Sequence, residues 1–218
     1  MAPERLVGPG EALAWFTAER PALVAAIAGA ATSGFDTHCW QIASVLTEFC
    51  HRQGMWQDVA TVNGTALDAA ERGADRAGEA HAHLGLAAAS LGPRSRPQDA
   101  YRHLRRALDL FGQLGDQAGQ ARAHYGLGWM FVLQGRHEEA LQHAQRALDL
   151  YDAVGDLPSH AAVLNAIGWV RAQLGDYRRA LECCQRALVL VRETGNLHDE
   201  GPTLDSIAYA HHRLGHLR

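Results

Sequence analysis

Apolar positions in the second half of the chain recur with helical spacing. Ala140, Ala144, Ala147, Leu148 and Tyr151 fall at i, i+4, i+7, i+8 and i+11, a single stripe down one helix face. The stripe belongs to a larger period. The segment GRHEEALQHAQRALDLYDAVGD from Gly135 aligns without gaps with GDYRRALECCQRALVLVRETGN from Gly175, and another copy starts at Gly215. Ala147-Leu148 recurs as Ala187-Leu188 and, going backwards, as Ala107-Leu108 and Ala66-Leu67. LNAIGW from Leu164 returns as LDSIAY from Leu204, with HYGLGW from His124 one period earlier. AGEAHAHLGL from Ala77 matches AGQARAHYGL from Ala118. A fixed period of about 40 residues signals a stack of repeats, each unable to bury its own apolar faces.

Each period carries two helical stretches separated by regular punctuation. Gly115-Asp116 and Gly155-Asp156 each place a glycine able to end one helix before an aspartate able to cap the next. Gly54, Gly135 and Gly175 mark the short turn inside a pair. In the second repeat that turn is longer, because Gly92-Pro93-Arg94-Ser95-Arg96-Pro97 inserts about three residues and two prolines. The pattern predicts an all-α fold, a right-handed α-solenoid of antiparallel helix pairs. About eleven helices and no strand are expected, with pairs beginning near Asp36, Asp75, Asp116 and Asp156. The expected division is an N-terminal helical segment, 1–35, packing on repeats at 36–75, 76–115, 116–155, 156–195 and an incomplete 196–218. The run EALAWFTAERPALVAAIAGAATSG reads as two short helices broken at Arg20-Pro21.

Small residues at Gly128, Ala140 and Ala147, and more fully Gly168, Gly175, Tyr177, Ala180 and Ala187, resemble the pattern of the tetratricopeptide repeat. There the paired helices approach too closely for larger side chains. The standard repeat is about 34 residues, so these helices are longer by most of a turn, a departure similar to the long-helix repeats of signalling ATPases and kinesin light chains. The resemblance is carried by Ala77 to Gly215. Asp36 to Asp75 follows it less closely, with Thr47 where later copies have Gly or Ala. The N-terminal run followed by long repeats resembles actinobacterial AfsR/SARP-type transcriptional regulators and related STAND proteins. No G-x-x-x-x-G-K-[ST] phosphate loop accompanies it. That resemblance implies a C-terminal sensor or autoinhibitory module of a larger transcriptional regulator. The alternatives are a free-standing adaptor or peptide receptor, and the scaffold domain of an enzyme.

Composition narrows the chemistry. The 218 residues carry a net charge of −4 with a pI near 6.3, and every basic residue is Arg. No basic field advertises nucleic acid, and any anion is held by guanidinium, imidazole or backbone N–H. The absence of Lys argues against the adaptors that grip a C-terminal carboxylate with Lys. No apolar run reaches about 18 residues, so no membrane partner is expected. The start MAPERLVGPGEALAW lacks a basic stretch followed by an apolar one, so no signal peptide is expected. Cys39, Cys50, Cys183 and Cys184 form no C-x-x-C pair and read as reduced packing residues of a cytoplasmic chain.

Thirteen histidines invite a metal reading. His81 and His83 point to different sides of a helix, and His216 lies beyond the turn glycine that follows His212, so no metal is assigned. No G-x-S-x-G elbow occurs. His38-Cys39 and Cys50-His51 read as packing plus surface, and Glu138-Glu139 as macrodipole partners at a helix start. No catalytic residue and no cofactor is assigned, and the chain is not expected to be an enzyme.

The tetratricopeptide resemblance places a concave groove on the first helix of each pair. Carried over by register, it holds Trp129, Trp169 and Tyr209 at one site and Tyr125, Asn165 and Asp205 at the preceding one. One turn later come Val132-Leu133, Ala172-Gln173 and His212-Arg213, and the first repeat offers Glu48, His51 and Arg52. Aromatic rings beside amides suit an extended peptide or protein partner, which includes other domains of a parent chain. The competing reading packs Trp129 and Trp169 between helices. The uncapped last helix offers a homodimer contact.

Overall fold

The structure, a computed structural model, describes residues 8–93 and 96–215, apart from the side chains of Pro9 and Leu197. His216, Arg94 and Ser95 of the motifs above, and the first seven residues, lie outside it. The described residues form ten helices and no strand. They fall in two compact units, 1–114 and 115–218. The first unit contains α1 (Pro9–Thr32), α2 (Asp36–Arg52), α3 (Trp56–Arg72), α4 (Arg76–Ser90) and α5 (Pro97–Leu114). The second contains α6 (Gln117–Leu133), α7 (His137–Val154), α8 (Leu157–Gln173), α9 (Tyr177–Glu193) and α10 (Leu197–Arg213). Within each unit neighbouring helices pack as antiparallel pairs, the helix-pair architecture expected of the repeats.

The punctuation explains the boundaries. Asp75, Asp116 and Asp156 cap the first helices of three successive pairs, accepting from the backbone N–H of Gly78, Gly119 and Ser159 at 3.0, 2.8 and 3.1 Å. Each such bond satisfies an orphan donor and stabilises by about 1 kcal/mol. Gly115 and Gly155 take the left-handed backbone, φ +69° and +73°, that ends the preceding helix. Ala74 adopts it too, at φ +49°, where the later copies have glycine.

The break expected at Arg20-Pro21 is absent, and the count of ten helices among the described residues, rather than about eleven, follows from it. Helix α1 runs unbroken through Pro21. Proline removes the bond to the carbonyl of Thr17, but both residues are exposed, so water reaches that carbonyl. The buried face continues on both sides of the proline. Phe16 before it and Leu23, Val24, Ile27, Ala30 and Ala31 after it join one cluster with Leu46, Phe49, Val59 and Val62 of α2 and α3. Phe16 stacks on Phe49 at 5.3 Å, and Arg20 forms an ion pair with Asp58. Burying this stripe outweighs a penalty of about 3 kcal/mol for an interior proline.

The second unit is held by Ala121, Ala144, Ala147, Tyr151, Val163 and Ile167, and near its end by Ala172, Ala180 and Ala210 with Tyr177 and Tyr209. Cys39, Cys50 and Cys184 are buried and free, as packing residues. Burial pushes the Cys184 thiol up to about 12, leaving it inert as a nucleophile. The histidines at 81 and 83 do face different ways. His81 stacks on Trp40 at 5.0 Å, whereas His83 meets His103 of α5. Burial, then His103 and Arg106, push the His83 imidazole down to about 4, so the pair is neutral near pH 7.

Candidate partner-binding site

Eight of the ten residues assigned to the groove lie on α6, α8 and α10, the first helices of pairs in the second unit. Tyr125 and Trp129 are one turn apart on α6 and meet edge to face at 6.3 Å. Trp129 is 37% exposed. Trp169 of α8 and Tyr209 of α10 are half-buried and contact each other at 5.4 Å. The aromatic positions are thus two pairs, one within a helix and one between helices. Packing accounts for part of the recurrence: Tyr209 also touches the cluster around Ala180 and Ala210.

Asn165 sits one turn before Trp169. Its Oδ1 is shielded from solvent and accepts no hydrogen bond from the described residues. An unsatisfied buried amide oxygen costs about 1–3 kcal/mol. Asp205 and His212 are exposed on α10. Arg213 does not stand with them. Its Nε donates to the Tyr177 hydroxyl of α9 at 3.0 Å, and its guanidinium lies 5.5 Å from that ring, so it reaches back to the second helix of the preceding pair. The remaining two residues belong to the first unit. Arg52 Nε donates to Glu48 Oε1 at 2.6 Å one turn apart, both exposed, a surface pair worth about 0.3–0.5 kcal/mol. His51 beside them turns its edge to Trp56 at 4.9 Å.

One feature went unread in the sequence. Tyr125, Gly128, Trp129 and Val132 of α6, Ala140 and Ala144 of α7, and Ala166 and Val170 of α8 line an apolar slot of about 10 Å³. Its signal was the coincidence of two small residues, Gly128 and Ala144, where the next copy has Gly168 and Cys184. Among the described residues no group of three His, Cys, Asp or Glu is placed to hold a metal, and no helix is long and apolar enough to cross a membrane.

An all-α architecture of paired helices with aromatics on successive first helices defines a helix-pair repeat protein. Sequence profiles described as tetratricopeptide repeat match residues 80–153 and 161–193, so those stretches carry tetratricopeptide repeats. No curated protein matches it in sequence. Among solved structures, BtubC (BKLC) from P. vanneervenii is similar at TM-score 0.70 and 18% identity, covering 89% of this chain and 84% of that one. A STAND protein with a tetratricopeptide repeat sensor from Pyrococcus horikoshii is similar at 0.63 and 15%, covering 80% of this chain. A Rap protein complexed with competence and sporulation factor is similar at 0.69 and 17%, again over 80% of this chain. The chain spans only 27% of the STAND protein and 50% of the Rap protein. At these identities the likeness is one of fold.

Proposed function

We propose that this chain is a protein- or peptide-binding module, the sensor or autoinhibitory part of a larger transcriptional regulator of the STAND type. The observation that carries the binding role is the Asn165 amide, whose oxygen is left without a donor one turn from Trp169. The oxygen is shielded in the unbound chain, so a peptide N–H reaches it as the amide rotates about its last torsion, which lets the one side chain donate and accept along a backbone. Trp129, the more exposed of the aromatics, supplies contact area at low entropy cost. The regulatory role is supported by fold likeness to the STAND protein with a tetratricopeptide repeat sensor and to the Rap protein in complex with a factor.

The test selects peptides on the tag-free chain from a random displayed library and titrates the best of them into wild type and variants. Asn165→Ala should lose about 1–3 kcal/mol of affinity, while Arg146→Ala and Arg186→Ala, exposed on the second helices α7 and α9, keep it. Equal affinity for Asn165→Ala removes this residue from the site. Loss only at Arg146 or Arg186 moves the site to the second helices.

A further inference from the structure

Two histidine pairs bridge helices at one repeat register. His83 of α4 and His103 of α5 place their Nδ1 atoms 2.9 Å apart, and so do His124 of α6 and His143 of α7. The same register holds Ala43 and Val62 in the first repeat, and Leu164 and Cys183 in the fourth. A helix contact made by apolar side chains in two repeats is thus made by a hydrogen bond between imidazoles in the other two. The rings meet head-on, with centroids 5.1 Å apart in both pairs, and all four are half-buried.

Such a bond tolerates one positive charge and not two. In the neutral pair one ring donates its Nδ1–H to the bare Nδ1 of the other. A first added proton goes to the outer nitrogen of the donor ring, where it leaves the bond in place and strengthens it. A second has only the accepting Nδ1 to occupy. It sets two N–H groups and two positive charges face to face. Around His83 and His103 no free anion stands ready to absorb that charge. Glu79, one turn before His83 and buried, already meets Arg76 at 3.0 Å and Arg106 at 3.5 Å. Asp99, one turn before His103, is paired with Arg102 and lies 3.7 Å from Arg96. The other helices packed on α4, α2 and α3, bring no charge that bears on either ring.

We infer that the His83–His103 pair is an acid-labile tie between α4 and α5, which holds while the rings are neutral or share one charge and fails when both are charged. Burial holds His103 below the usual histidine range, with Arg102 adding to it, as burial and its neighbours hold His83 near 4. The unfolded chain takes up protons at both positions near pH 6.5, about the ordinary histidine value. Between these limits the unfolded state binds more protons than the folded one. The stability the tie confers is therefore full above about pH 6.5 and is lost as the pH falls toward about 4.

The test follows urea unfolding of the full chain from about pH 7.5 to about pH 4.5 for wild type and for His83→Leu/His103→Cys, which copies the fourth repeat. His124 and His143 are present in both, so their contribution cancels. The wild-type midpoint should fall more steeply with acid than that of the variant, with the excess slope below about pH 6.5. Parallel curves overturn the proposal. Should the variant lose helicity by circular dichroism, nitrogen NMR of the wild-type histidines decides without it. Two separated titration steps for the rings at 83 and 103, the lower one accompanied by faster amide exchange in α5, support the tie. A single step near the ordinary histidine value, or a lower step that leaves exchange in α5 unchanged, sinks it.

Discussion

The pairs α6/α7 and α8/α9 fill one register in two ways. Gly128 and Gly168 occupy the same repeat position, each where the first helix crosses the second. A Cβ added at Gly168 would stand 2.3 Å from Cys184 Sγ and 3.0 Å from the Ala180 carbonyl oxygen. At Gly128 the nearest atoms would be the Ala140 carbonyl oxygen at 3.4 Å and the Ala144 nitrogen at 3.7 Å. Ala144 and Cys184 are themselves equivalent, so one sulfur separates a closed contact from the apolar slot beside Trp129. The first repeat takes a third course. Thr47 and Asn63 hold the two positions and join them by a 2.6 Å hydrogen bond. The repeat therefore sets where two helices cross, and the two facing residues divide the available volume between them.

The largest test of this comparison is Gly168→Leu. The carbonyl of Ala180 is backbone and cannot swing aside, so the loss should reach or exceed the 1–3 kcal/mol typical of overpacking. Urea denaturation measures it, and an unchanged midpoint would mean that the helices do not cross at Gly168. Cys184→Ala, which copies the third repeat into the fourth, should cost about 1 kcal/mol by opening a void. A neutral outcome would show that α8 and α9 close over the missing sulfur. Gly128→Ala sharpens the contrast from the other side. Helix propensity favours alanine by about 0.8–1.0 kcal/mol, and the 3.4 Å contact takes back part of it. The variant should be more stable by about 0.5 kcal/mol, and destabilisation comparable to that of Gly168→Leu would erase the distinction between the two repeats.

The candidate site was legible in part for a reason of the same kind. Register alone brought Trp129, Trp169 and Tyr209 to equivalent places, because equivalent positions on stacked repeats share a face. It did not reveal that Trp169 touches Tyr209 while Trp129 turns to Tyr125. Nor did it reveal that Arg213 leaves that face for Tyr177. Long side chains choose partners by what lies within reach, and that depends on neighbours distant in sequence.

From α2 onward, the helices, their pairing and their ends were determined by the sequence alone, because the forces that set them are local. Apolar spacing near 3.6 selects the buried face, Asp75, Asp116 and Asp156 satisfy the first free N–H groups, and glycines accept the left-handed turn. Three features were decided only by the tertiary structure. Pro21 stays inside α1 because apolar residues on both sides of it dock on α2 and α3. The slot at Gly128 exists because α7 brings an alanine where α9 brings a cysteine. The histidines at 83 and 103, and at 124 and 143, became pairs only when α4 met α5 and α6 met α7. Each outcome rests on a contact between residues on different helices, and a local pattern carries no record of which atoms such a contact will bring together.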